Sequence, residues 1–218
     1  MRKIVICLLP AILLLLGACE SGAKFRVINR TSHPIYTSLG DSELITVPGG
    51  TERVIKVDTD TQSFLTGTVK KRVQVLLYGE TFSLVKEVNK PQSDSTIVEF
   101  EVGKTLNAYA DPNRAGIKVV NLLDIPIYKV EVVQKMLNYY HNSPIANLFD
   151  ILPGDTSWLR VPPVVQSPNN DPFYFQLDVY INESDTVPYV FSNHDSLLGV
   201  DDQMVVTITP DIIDGDTK

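Results

Sequence analysis

Residue types capable of covalent or metal chemistry are sparse in this chain of 218 residues, and few stand at a useful spacing. Two cysteines, Cys7 and Cys19, both fall near the N-terminus. A thiolate is the nucleophile that takes up lipid or metal, and Cys19 follows a branched apolar residue and two small ones, Leu16, Gly17 and Ala18. His33, His141 and His194 each sit alone in turn-rich sequence, without a second His or Cys at metal-ligand spacing. No Gly-rich phosphate loop and no Gly-x-Ser-x-Gly elbow occurs. Asp58-Thr59-Asp60 and Asp201-Asp202 offer oxygens, but calcium takes roughly six to eight and neither forms an EF-hand loop. They are expected to be solvated loop charge. The expectation is no catalytic residue, no metal site and no cofactor.

The segment around Cys19 has a sharper reading. Met1-Arg2-Lys3 precedes an apolar run from Ile4 to Leu16 broken only by Pro10. A basic start, a short apolar stretch and a small-residue cleavage site mark a secretion signal. Spanning a bilayer takes about 20 apolar residues, more than this run supplies. Leu16-Gly17-Ala18-Cys19 resembles the lipobox of bacterial lipoproteins. The resemblance implies cleavage after Ala18, a diacylglyceryl thioether on Cys19 and acylation of the new amine. A single acyl chain holds only marginally, at ~0.8 kcal/mol per buried CH₂, whereas two or more hold stably. By the same family analogy Glu20, not Asp, favours the outer membrane facing the periplasm, with cell-surface display left open. Residues 1–18 are thus expected to be removed, and 19–23 to form the lipidated end and a short tether.

Of 19 Lys and Arg, Arg2 and Lys3 leave with the signal, while all 26 Asp and Glu remain, so the mature chain carries net −9. An acidic chain without a basic run argues against nucleic acid and against docking on anionic lipid by charge. Cys7 is lost and Cys19 acylated, so no disulfide forms and stability must come from the core.

The two halves repeat. Val27-Ile28-Asn29 precedes Pro34-Ile35-Tyr36 at the spacing at which Val119-Val120-Asn121 precedes Pro126-Ile127-Tyr128. Val47-Pro48-Gly49-Gly50-Thr51 matches Leu152-Pro153-Gly154-Asp155-Thr156, residues 73–78 match 175–180, and 97–102 match 204–209. Apolar residues alternate with polar ones, rich in Val, Ile, Phe, Tyr and Thr, and turn formers intervene every ~8–12 residues, the signature of half-buried strands. Two tandem β-sandwich domains are expected, 24–103 and 116–210, with a linker at 104–115 and a tail at 211–218. The pattern resembles immunoglobulin-like and transthyretin-like sandwiches of exported bacterial proteins. The best helical stretch lies around 132–147, limited by Pro144. Trp158, its counterpart taken as Arg53, is expected in the core.

The second copy carries an insertion, 136–148, with Tyr139, Tyr140 and His141 as a candidate binding loop, since loops on rigid sandwiches carry function. The sequence thus points to an all-β, membrane-anchored, extracytoplasmic lipoprotein. It would be a non-enzymatic structural or protein-binding module of the cell envelope, with a membrane contact through Cys19 and a protein partner. A carbohydrate- or cell-wall-binding module is the alternative, and a hydrolase ranks last.

Overall fold

The computed structural model describes residues 22–59, 70–85, 93–138, 142–164 and 171–215. Period-2 alternation decides the strands. In β1 (Ala23–Asn29), Ala23, Phe25, Val27 and Asn29 turn inward while Lys24, Arg26 and Ile28 turn outward. The chain continues through β2 (Ile35–Leu39), β3 (Ile45–Val47), β4 (Glu52–Val57), β5 (Lys70–Gly79), β6 (Ser95–Glu101) and β7 (Thr105–Ala110). A second set follows: β8 (Ala115–Asn121), β9 (Ile127–Met136), β10 (Asn142–Ile151), β11 (Thr156–Val161), β12 (Phe173–Tyr180), β13 (Tyr189–Ser192) and β14 (Gln203–Ile208). A short helix, α1 (Pro210–Gly215), comes after them.

The fold is all-β, in two sandwich units of one topology. Unit 1 packs the sheet β4-β1-β7 against β3-β2-β5-β6, and unit 2 packs β11-β8-β14 against β10-β9-β12-β13. Each unit has its own apolar core. Phe25 and Phe100 meet edge to face at 5.6 Å in the first, and Phe175, Leu177 and Val179 line the second. Burying each such side chain stabilises by about 1.5–3 kcal/mol.

In both units the first and last strands run parallel, with Val27 opposite Ala108 and Val119 opposite Val206. A unit so built takes the chain in at one end, its base, and releases it at the other, its tip. Residues 111–114 carry the chain from Ala110 at the tip of unit 1 to Ala115 at the base of unit 2. Parallel first and last strands therefore string the units end to end.

At each tip a buried asparagine ties the two sheets together. Asn29 Nδ2 donates to the carbonyls of His33 and Val47 (2.8 and 3.0 Å), and its Oδ1 accepts from Thr31 N–H (2.9 Å). Asn121 Nδ2 donates to Ile125 and Ile151 (2.9 and 2.8 Å), and its Oδ1 accepts from Leu123 N–H (2.9 Å). One amide closes the same corner twice.

These bonds correct the expected alignment. Val47 stands where Ile151 does, and the positive-φ glycines Gly50 and Gly154 coincide, one residue out of step with the turn match read from sequence. The final strand of unit 1 is β7, parallel to β1, so 97–101 lie in β6, the counterpart of β13 and not of β14. Consequently the linker is shorter than 104–115: Thr105–Ala110 form β7, unit 1 runs to Ala110, and 111–114 connect the units. Of the stretch expected to be helical around 132–147, residues 132–136 belong to β9 and 142–147 to β10, because Val130 and Val132 bury on one face at period 2. The expected insertion, 136–148, is largely the start of β10, with a bulge at Ile145. The expected tail begins in α1, whose Ile213 packs on the unit 2 core.

Candidate functional site

The chemistry that sequence periodicity assigned to solvent gathers where the tip of unit 1 meets the base of unit 2. Glu80 follows β5 and is buried, with 3% of its side chain exposed. Lys118 projects from the outer face of β8 and its Nζ donates to both Glu80 carboxylate oxygens at 2.9 Å. Gln203 Nε2 of β14 donates to Glu80 Oε2 (2.5 Å). Burial, then the neighbouring Glu80 charge, hold the Tyr36 phenol above its ordinary value. A buried carboxylate without a cation would cost several kcal/mol, so this pairing must form for the units to close.

A second ion pair flanks the first. Arg160 of β11 grips Asp94 with two parallel bonds (2.5 and 2.9 Å) and also donates to the Phe82 carbonyl (3.0 Å). Between the two pairs Trp158 stacks on Tyr36 and Tyr78, each at 6.2 Å, with interplanar angles of 12° and 20°. The side chains of unit 2 here all come from the outward face of the sheet β11-β8-β14.

Asp201 closes the joint. It has φ 71°, where unit 1 carries Gly103 at φ 76°. A non-glycine residue in that region stores about 1–3 kcal/mol of strain. In return its carboxylate accepts from Thr81 Oγ1–H (2.6 Å) and Ser32 N–H (2.7 Å), and its carbonyl accepts from His33 Nε2–H (2.9 Å). Behind it the connecting residues are sealed. Arg114 is buried and donates to the carbonyls of Asn113 and Val85 (2.8 and 2.7 Å). Desolvation, then repulsion from Arg160, hold its guanidinium below the usual range.

Beside the joint lies an open cleft of about 580 Å³, walled by Tyr78 and Asp94 of unit 1 and by Ile145, Trp158, Arg160 and Pro162 of unit 2. Its charged walls are paired with each other, and one face of Trp158 is occupied by the tyrosines. Glu80 and Asp94 each carry a cation, so neither is poised as a general base. The joint is built to hold two bodies in one orientation.

Several expected features resolve differently. Trp158 lies at the joint and not in the core, because the corner bonds set its counterpart at Val54, on the outer sheet face. His33 is a joint residue, whereas His194 is exposed beside Asp195 (3.1 Å) and edge-on to Tyr174 (5.0 Å). Asp201 is a joint acceptor and not the solvated charge expected, whereas Asp202 is exposed, as expected, and accepts from Gly199 N–H (2.7 Å). Asp58 and Thr59 are placed, but Asp60 lies outside the described residues. Among the described residues no group of three or more His, Cys, Asp or Glu converges as metal ligands. Leu16, Gly17, Ala18 and Cys19 also lie outside the described residues, as do Tyr139, Tyr140 and His141; the strand ends flanking the latter three, Met136 and Asn142, stand at the base of unit 2. Among the described residues no helix is long and apolar enough to cross a membrane.

Sequence reasoning missed Glu80, Thr81, Asp94, Lys118, Arg160 and Gln203. The available signal was divergence between the copies: Asp201 against Gly103, and Glu80 against Asn182.

Fold and joint define a class: an end-to-end pair of β-sandwich domains with a closed, charge-paired junction. No protein-family model matches the chain, and no curated protein matches it. Among solved structures it is similar to the Bacillus anthracis TIE protein, at TM-score 0.28 and 8% identity, over 87% of this chain. The chain spans 33% of that protein's length. It is also similar to a mutant of the major pilin from Streptococcus pyogenes, at TM-score 0.21 and 9% identity, over 86% of this chain and 97% of the pilin. Overlaps of this size assign no activity.

Proposed function

We propose that this chain is a non-enzymatic spacer of the cell envelope, held to a membrane by lipid on Cys19 and offering the far end of unit 2 to a protein partner. The observation that carries the reading is the joint: residues 111–114 connect the units, and half-buried ion pairs bridge them end to end. A catalytic protein has no need to hold two domain ends apart, whereas a spacer does. Strand β1 begins at Ala23, three residues beyond the acidic residue that follows Cys19. At ~3.6 Å per extended residue, the base of unit 1 then lies against the bilayer.

Intact-mass spectrometry of the protein from its native membrane, beside a Cys19→Ala variant, tests the anchor. The expected mass starts at Cys19 and carries acyl chains, and the variant is neither processed nor anchored. A chain retaining Met1 without lipid overturns it. The spacer is tested by spin labels at Lys56→Cys and Glu183→Cys in the lipid-free mature chain. One narrow distance is expected, and a broad distribution would reject a fixed joint.

A further inference from the structure

The tip of unit 1 is covered by unit 2, whereas among the described residues nothing covers the same end of unit 2. Leu122, Ile125, Leu152 and Val187 are 54%, 44%, 53% and 78% exposed there. Their loops adjoin, because Asn121 bonds the Ile125 and Ile151 carbonyls and its own carbonyl accepts from Gly154 N–H (2.8 Å). By the corner bonds the matching residues of unit 1 are Arg30, His33 and Pro48 for the first three, so the far end has become more apolar than its copy. Its loops, 122–126, 152–155, 181–188 and 209–215, contain no lysine or arginine, while Asp124, Asp155, Glu183 and Asp211 are exposed among them.

We propose that this far end docks a protein presenting a sheet face that carries Lys or Arg around an apolar or aromatic residue. The molecule contains a worked example of the contact. The tip of unit 1 offers Glu80, Asp94 and two tyrosines, and the face that covers it offers Lys118, Arg160 and Trp158. At the tip of unit 2 Tyr180 stands at the matching strand end with Lys129, itself paired with Glu131, over its ring (4.5 Å). Asn182 takes the place of Glu80, and the acids near the exposed aliphatic side chains are Asp124, Asp155, Glu183 and Asp211. An apolar patch rimmed by one sign of charge selects a partner of the opposite sign. A bilayer fits poorly, because anionic headgroups repel the acids and no basic side chain in these loops offsets them. This inference rests on the membrane-end assignment of unit 1, which the mass of Cys19 tests separately.

The test places the photo-cross-linker p-benzoylphenylalanine at Leu122 or Leu152 of the full chain in its source cells. A discrete protein adduct is expected, its contact peptide carrying Lys or Arg beside an apolar residue. The triple reversal Asp124→Lys, Asp155→Lys, Glu183→Lys should weaken that adduct about tenfold. Reversal of Asp41 and Glu43, exposed at the base of unit 1, should leave it unchanged. Trp158, the single tryptophan, reports whether each variant keeps its joint. If the triple variant fails to fold, salt replaces it, since raising ionic strength from about 0.1 M to about 1 M shortens screening from ~10 Å to ~3 Å and should weaken the adduct. Adducts to phospholipid, adducts to a second copy, a protein adduct indifferent to charge and salt, or no adduct would each overturn the proposal.

Discussion

The two tips of this molecule share a skeleton and differ in surface. Asn29 and Asn121 make the same bonds to the same strand ends, and Gly50 and Gly154 turn the chain the same way. Around that skeleton, unit 1 spends its polar groups on a neighbour already present in the chain, while unit 2 turns apolar side chains to solvent. The amide cannot vary without stranding buried carbonyls, so the corner persists in both copies. A side chain on an outer face answers only to what covers it, and what covers the two tips differs.

The comparison can be broken at the joint first. Glu80→Ala leaves Lys118 without its carboxylate and should cost about 3–5 kcal/mol in urea unfolding, as breakage of a buried pair does. Removal of Glu52 from the exposed pair with Arg26 should cost at most ~1 kcal/mol. If the two losses were equal, the joint would be no more than surface charge.

Next come the corners. Asn29→Ala and Asn121→Ala should each cost about 2–3 kcal/mol, because buried carbonyls lose their donor and a buried N–H its acceptor. Calorimetry on the two variants sharpens the comparison: costs differing by more than about 1 kcal/mol would mean that the corners are alike in geometry but not in energy.

Smaller again is the exchange at the strained position. Asp201→Gly relieves backbone strain of about 1 kcal/mol but deletes a carboxylate that accepts two bonds across the joint, one exposed and one half-buried, each worth about 1 kcal/mol net. A net loss of roughly 1 kcal/mol is expected by chemical denaturation. Gly103→Asp, which places the same strain in unit 1 without those donors, should cost about as much. A stabilising Asp201→Gly would show that the joint bonds contribute nothing.

The smallest effect is one of pH. The folded-state pKa of Tyr36 lies above the ordinary 10.0, so its contribution is complete below that value and is lost as pH rises through the folded pKa. Urea midpoints of the parent chain should fall at alkaline pH more steeply than those of Tyr36→Phe, which has no phenol to ionise beside Glu80. Parallel curves would detach Tyr36 from the joint.

Much of this architecture is legible in the chain. Alternation in residues 23–29 and 115–121 names the central strands, because a half-buried strand must sort its side chains at period 2. The recurring Asn, Pro and Gly name the corner, because few other residues satisfy or adopt its geometry. The proposed lipid anchor rests on Leu16, Gly17, Ala18 and Cys19. The last strand of unit 1 escaped notice because its partner, β1, lies far back in sequence, and a parallel pairing leaves no local turn signal.

The joint was decided by tertiary structure alone. Lys118, Trp158 and Arg160 sit on outward positions of their strands, and periodicity records only that they leave their own core. Whether water or a second domain waits there depends on how residues 111–114 aim one unit at the other. The far end of unit 2 has the same outward pattern with none of the described residues over it. The sequence determines two sandwiches and their corners, because those depend on local geometry and burial, while the meaning of each outer face follows from what stands opposite it.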